Sequence, residues 1–110
     1  MGTVDTTIEN RALAAVKVLS GLSTVRAAYL FGSHVEGSPD QWSDIDIGVF
    51  MNGVEHWDIQ RRTSAMVLVM EQVGSDVEAH LFDASILENP PRGSFAEYIR
   101  LHGKRIFELQ

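Results

Sequence analysis

The chain has 110 residues, of which 45% are hydrophobic and 22% charged, a balance typical of a globular protein rather than a disordered one. This length suffices for one compact domain over residues 1–110, and the net charge of −6 argues against binding to nucleic acid. The chain has no cysteine for disulfides or thiolate metal sites and no run near the ~20 apolar residues of a membrane span, so we expect a cytoplasmic location.

The first half of the chain predicts one helix and two strands. Apolar residues at helical spacing follow Thr6-x-x-Glu9, a potential capping box, and predict an amphipathic helix over residues 6–20. Residues 25–31 are mostly apolar and predict a central strand. Residues 32–43, rich in Gly, Ser, Pro and Asp, predict a loop with room for one helical turn, and residues 44–51 predict a second strand.

The second half predicts two further helices and one or two strands. Residues 55–73 predict a helix with Ile59 on its buried side, and residues 76–82 predict a third strand. The capping box at residues 94–97 opens a short helix, and the apolar residues around Ile106 favour a terminal strand. This order predicts an α+β fold, a small mixed β-sheet with helices packed mainly on one face.

Six residues at fixed spacing combine a small-residue turn with two carboxylates. They lie within LFGSHVEGSPDQWSDIDIGVF and comprise Gly32-Ser33, Gly37 and Ser43-Asp44-x-Asp46. A glycine lets the backbone approach a phosphate closely, and backbone N–H groups and the Ser33 hydroxyl can donate hydrogen bonds to its oxygens. Ser43 can orient the loop before Asp44. The turn is therefore a candidate phosphate site.

Asp44 and Asp46 are two residues apart on a predicted strand, so their side chains leave the same face with Cα atoms roughly 6–7 Å apart. Carboxylates at that separation can converge on one divalent ion or bridge two ions about 3.5–4 Å apart. Mg²⁺ prefers carboxylates and substrate phosphates, and such oxygen ligands also suit Mn²⁺. Glu78 and His80 share a face of the third strand; for His80 we favour a surface or loosely packed histidine over a role near an acceptor.

Gly-Ser, a loop and Asp-x-Asp together resemble the motif of the nucleotidyltransferase superfamily related to DNA polymerase beta. The short length and the spacing are most similar to its minimal nucleotidyltransferase branch, which is often paired with a HEPN-type partner in toxin–antitoxin modules. The similarity extends over essentially the whole chain, including the ending His-Gly-Lys-Arg-Ile-Phe-Glu at residues 102–108. The resemblance implies the nucleotidyltransferase fold.

The resemblance also implies roles for individual residues. The family carries a third acidic residue, typically aspartate, on a later strand, and the matching residue here is Glu78, with Asp76 as a fallback. The implied catalytic and metal-binding residues are therefore Asp44, Asp46 and Glu78. Those implied at the nucleotide phosphates are Gly32, Ser33 and Ser43.

Three functions follow from the resemblance. The first is metal-dependent transfer of a nucleoside monophosphate, AMP from ATP, to a hydroxyl of a HEPN-type partner protein. The second is a binding module that neutralises or assembles with such a partner without chemistry, an alternative that Glu78 in place of aspartate keeps open. The third is transfer to a small molecule of the aminoglycoside type. A homodimer through exposed apolar helix surface is also compatible with the sequence.

Overall fold

The computed structural model describes residues 5–37 and 43–110, so part of the predicted loop over residues 32–43 lies outside the described residues. Within these ranges, four strands form one sheet in the order β3-β2-β1-β4. Strand β1 is antiparallel to both of its neighbours, and β2 is parallel to β3. The predicted mixed sheet with a central first strand is confirmed.

The strands are β1 (Val25–Phe31), β2 (Ile45–Met51), β3 (Val77–Asp83) and β4 (Lys104–Glu108). The α-helices are α1 (Thr6–Ser20), α2 (Ser33–Glu36), α3 (Ile59–Gln72) and α4 (Phe95–His102), with 3₁₀ turns at Val54–His56 and Ala84–Ile86. No helix among the described residues is long and apolar enough to cross a membrane.

Each face of the sheet has its own hydrophobic core. Helices α1 and α3 pack on one face, where side chains such as Leu19, Ile47 and Val69 are fully buried. The short helix α4 packs on the opposite face, where Ile99 meets Phe50. The two longest helices therefore share one face, as the sequence predicted, and α4 leaves part of the other face open.

The predicted helix over residues 55–73 was wrong at its start. Trp57 and Asp58 have extended backbone, and the Asp58 carboxylate accepts a hydrogen bond from the Arg61 N–H at 2.8 Å, so α3 begins at Ile59. Ile59 is 82% exposed rather than buried. It precedes the buried Ala65 by six residues, which is roughly 240° around a helix, so the two side chains cannot share a face.

The two predicted capping boxes had different outcomes. Asp5, rather than Thr6, caps α1, because its carboxylate accepts a hydrogen bond from the Thr7 N–H at 2.7 Å. The N-cap of α4 is confirmed, because the Ser94 hydroxyl accepts from the Glu97 N–H at 3.2 Å, but the Glu97 carboxylate accepts from the Gly93 N–H at 2.8 Å rather than from the Ser94 N–H of a full capping box.

Candidate active site

The pairing of three strands brings two of the predicted acidic residues together. In the parallel ladder of β2 and β3, Asp46 lies directly beside Glu78. On the other side of β2, Asp46 pairs with Phe31 at the end of β1, and the turn at Gly32 begins there. The candidate site therefore lies where β1 ends and where β2 and β3 begin, on the face that carries α4.

Gly32 allows the turn after β1 to pass close to the Asp46 carboxylate. Its φ of +84° is in the left-handed region that disfavours residues with a side chain. A Cβ atom at this position would lie 2.5 Å from Oδ2 of Asp46. Glycine is therefore required both by the backbone conformation and by the space that Asp46 occupies.

The turn continues into the four-residue helix α2, which begins at Ser33, so the one helical turn predicted in this loop is confirmed. His34 Nε2 lies 3.3 Å from the carbonyl oxygen of Ser43 and connects the two ends of the loop. At the end of α2, the Tyr98 hydroxyl donates to the Glu36 carboxylate at 2.6 Å and joins the turn to α4. The first contact holds Ser43 close to α2, and the second holds α2 against α4.

Two carboxylates and an imidazole form a cluster with the separation of metal ligands. Asp46, Glu78 and His80 each present one ligand atom, and these atoms lie within 4.8 Å of one another. His80 Nε2 lies 3.8 Å from Asp46 Oδ1 and 3.5 Å from Glu78 Oε1. Asp44 is exposed, precedes β2 and does not belong to this group.

The electrostatics of Asp46 fit a cation site. Its pKa is raised, first because burial disfavours the charged carboxylate, and then because the negative charges of Glu78 and Asp44 lie nearby. The neighbouring His80 lowers the pKa of Asp46 and so partly offsets these effects. A divalent cation would relieve the repulsion among these carboxylates, and the oxygen-rich donor set suits such an ion. The charge of Asp44 thus reaches the site although its carboxylate lies outside the cluster.

His80 joins the cluster, although the sequence favoured only a surface or loosely packed histidine. It is partly buried, and its ring centroid lies 5.3 Å from those of Phe31 and Phe95. The available signal was its spacing of two residues from Glu78, which puts both side chains on one face of β3. The contact with Asp46 depends on the pairing of β2 with β3, which one strand alone does not reveal.

Asp76, the fallback for the third acidic position, has a different partner. Its carboxylate accepts two hydrogen bonds from the Arg11 guanidinium, at 2.6 and 2.8 Å. This bidentate contact lowers the pKa of Asp76 and connects the start of β3 to α1. Among the described acidic residues, Glu78 is therefore the one that β3 places beside Asp46.

The mixed sheet thus holds two clustered carboxylates beside a glycine turn. The profile of the family "Polymerase beta, Nucleotidyltransferase" matches residues 14–110, and the chain belongs to this family. No significant match was found among curated protein sequences.

Solved structures share the fold at low sequence identity. One is a toxin–antitoxin with AMP-PNP, with a TM-score of 0.63 and 23% identity over 93% of this chain and 74% of that chain. A mutant of the toxin–antitoxin MntA–HpeT has a TM-score of 0.58 and 20% identity over the same shares. A putative nucleotidyltransferase from Sulfolobus solfataricus has a TM-score of 0.52 and 22% identity, covering 80% of this chain and 81% of that chain. The predicted nucleotidyltransferase fold is confirmed.

Proposed function

We propose that the protein transfers a nucleoside monophosphate, AMP from ATP, to a hydroxyl of a partner protein in a toxin–antitoxin module. The observation that carries this proposal is the close approach of the Gly32 turn to Asp46, where a Cβ atom would lie 2.5 Å from the carboxylate. A phosphate held at the turn would then lie next to the carboxylates. A nucleotidyltransferase needs this proximity, because its metal must contact both protein and phosphate.

The residues have distinct proposed roles. Asp44, Asp46 and Glu78 would hold the divalent metal, Mg²⁺ or Mn²⁺, which supplies charge neutralisation at the phosphates and acidifies the acceptor hydroxyl when it is bound. Gly32 would allow the triphosphate close to the backbone. Ser33 would donate its hydroxyl to a phosphate oxygen, and Ser43 would keep the loop oriented toward the site through its carbonyl contact with His34.

The transfer itself is an in-line displacement at the α-phosphorus. The acceptor oxygen forms a bond to the α-phosphorus while the bond to the bridging oxygen of the β-phosphate breaks, and pyrophosphate leaves. The chain's own contribution is positioning, since strand-borne side chains are held more rigidly than those on loops. We place this activity in the cytoplasm, where ATP is available.

The partner is proposed to be a HEPN-type protein. The support is the shared fold with a toxin–antitoxin with AMP-PNP and with the toxin–antitoxin MntA–HpeT. Exposed apolar side chains on α4 include Phe95 at 47% exposure, whose ring contacts His80, and Leu101 at 72%. Helix α4 thus offers a partner apolar surface that reaches the carboxylate cluster at Phe95.

Assembly with the partner without transfer is a second candidate function, and the longer, more flexible Glu78 at the third acidic position favours it. A transfer assay separates the two functions. The wild-type chain, an Asp44→Asn plus Asp46→Asn variant and an Asp76→Asn control are incubated with ATP labelled at the α-phosphate, with Mg²⁺ or Mn²⁺, and with the product of the neighbouring reading frame as the candidate partner.

Label on the partner with wild type and Asp76→Asn, but not with the double variant, supports the proposed transfer. Label that persists with the double variant excludes metal-dependent transfer at this site. A stable complex that carries no label with any of the three proteins establishes assembly without chemistry. An aminoglycoside in place of the partner tests the small-molecule acceptor.

A further inference from the structure

We propose that His80 contributes a nitrogen ligand to the metal ion that Asp46 and Glu78 hold, so that the site favours transition-metal ions over Mg²⁺. The inference deepens the proposed function and rests on it only in assuming a divalent ion at these carboxylates. It assigns a role to a side chain outside the Gly-Ser and Asp-x-Asp motif.

The distances around His80 match those between ligands of one ion. Ligand atoms at about 2.1 Å from a divalent metal lie at most roughly 4.2 Å apart. The Nε2 atom of His80 lies 3.5 Å from the Glu78 oxygen and 3.8 Å from the Asp46 oxygen, both inside that limit. An ion between the three atoms therefore requires only small side-chain adjustments.

The His80 ring is held in this position by aromatic neighbours. Phe31 packs against it at a tilt of 57°, and Phe95 packs edge-on at 90°, each with its ring centroid 5.3 Å away. Side-chain packing that fixes a ligand lowers the entropy lost when a metal binds. Phe31 comes from β1 and Phe95 from α4, so two separate elements restrain the imidazole.

The chemistry of imidazole determines which ions the cluster selects. Mg²⁺ is a hard cation that prefers oxygen ligands, whereas imidazole nitrogen binds well to transition metals. Two carboxylates and one imidazole form a mixed oxygen and nitrogen donor set, in which the nitrogen favours a transition metal over Mg²⁺. Replacing the nitrogen ligand should therefore weaken the binding of a transition-metal ion more than the binding of Mg²⁺.

A different role for His80 would be that of a protonated counter-charge. Its ring faces Asp46 and Glu78 directly, and the charge of Asp44 also reaches Asp46. A counter-charge would be displaced or repelled by a metal ion and would not coordinate it. The two roles therefore differ in whether a histidine nitrogen is bound to the metal.

Electron spin-echo spectroscopy of Mn²⁺ bound to the full chain distinguishes these roles. In wild-type protein with natural histidine, we expect ¹⁴N modulation from a directly bound imidazole, which changes to the ¹⁵N pattern when histidine is labelled with ¹⁵N. This labelling leaves the protein unaltered and does not depend on any variant folding. His80→Asn should lose the modulation, whereas the control His56→Asn, at an exposed and remote position, should keep it.

Titrations with Mn²⁺ and Mg²⁺ provide the second measurement. We expect His80→Asn to raise the Kd for Mn²⁺ about 10-fold, as the loss of a metal-site partner commonly does, and to change the Kd for Mg²⁺ much less. Bound Mn²⁺ without histidine modulation in wild type overturns the inference but leaves the proposed transferase standing. Failure of wild type to bind either metal, with or without ATP, overturns both.

Discussion

Gly32 is the residue at which the turn after β1 and the carboxylate cluster depend on each other. Its positive φ allows the chain to leave β1 and turn at once toward α2, and its missing side chain leaves the space that Asp46 fills. Gly53 has a nearly identical φ of +81°, but a Cβ atom there would have no neighbour within 4 Å. The ψ angles differ, however: Gly32 at −157° has a backbone conformation that is essentially restricted to glycine, whereas Gly53 at 2° is in the left-handed helical region that other residues tolerate better.

Gly32→Ala should reduce both stability and metal affinity. The unfavourable φ costs about 1–2 kcal/mol, and the new Cβ atom must displace the Asp46 carboxylate. Gly53→Ala should lose less unfolding free energy, because the left-handed helical region tolerates alanine better and the added Cβ atom has no close neighbour, and it should leave Mn²⁺ binding unchanged. Denaturant unfolding and Mn²⁺ titration of both variants test this, and equal Mn²⁺ affinities in the two variants would contradict the proposed role of Gly32.

Asp46 should make the metal-free protein less stable at neutral pH. Because its pKa is raised in the folded state, its ionised form disfavours folding. The stability cost is absent below the ordinary pKa of 3.8 and appears as the pH rises through the raised value. With a chelator at pH 7, we expect Asp46→Asn to melt a few degrees above wild type, with the difference disappearing near pH 4. A wild-type protein that melts above the variant at pH 7 would refute this prediction.

At the scale of elements, the parallel pairing of β2 with β3 determines which acidic residue joins Asp46. Glu78 lies opposite Asp46 in this ladder. Asp76, two residues earlier, lies just before β3 and within reach of Arg11 on α1. Glu78 therefore joins Asp46 in the carboxylate cluster, whereas Asp76 connects α1 to the start of β3.

Asp76→Asn should reduce stability without reducing nucleotide transfer, whereas Glu78→Gln should abolish transfer. The salt bridge of Asp76 is partly exposed, so a double-mutant cycle with Arg11→Met should give a coupling free energy of about 0.2–1 kcal/mol. Since the pKa of Asp76 is lowered, the coupling should be present above the ordinary pKa of 3.8 and be lost as the pH falls through the lowered value. Transfer that depends on Asp76 would reverse these assignments.

The sequence predicted helices and strands correctly where the apolar pattern was strong. It missed a boundary where local hydrogen bonds set the start of a helix. The pattern of residues 6–20 predicted α1 with its observed ends, and the apolar run at residues 25–31 predicted β1. The start of α3 was missed, because its apolar residues continue into a 3₁₀ turn that the Asp58 cap separates from the helix. Propensity alone does not distinguish two short helical segments from one longer helix.

For the whole molecule, the site lies on the more open face of the sheet. Helices α1 and α3 cover the opposite face, and α4 covers only part of the face that carries Asp46 and Glu78. This arrangement leaves the carboxylates accessible without exposing the larger core, as the proposed transfer would require. The assignment of residues 1–110 to one domain stays a prediction.

Metal binding should stabilise the whole fold if the cluster closes around an ion. At a free Mn²⁺ concentration of 100 times the Kd, binding to the folded state alone contributes about 2.7 kcal/mol, which corresponds to a rise in Tm of roughly 10 °C for a domain of this size. Thermal unfolding with Mn²⁺ and then with a chelator measures the shift. Asp46→Asn and Glu78→Gln should lose most of it and Asp76→Asn should keep it; a shift of equal size in all four proteins would place the ion elsewhere.

The sequence by itself determined the class of this protein, since the glycine turn, the acidic pair and the alternation of apolar segments are local patterns that a chain displays before it folds. The resemblance to the family also pointed to Glu78 as the third acidic residue, whereas strand spacing alone left Asp76 on the same face as a fallback. Tertiary structure alone decided that His80 meets Asp46, that Arg11 binds Asp76 and that Gly32 lies against a carboxylate. Each of these contacts joins segments that are distant along the chain, and only the order and register of the strands bring such segments together.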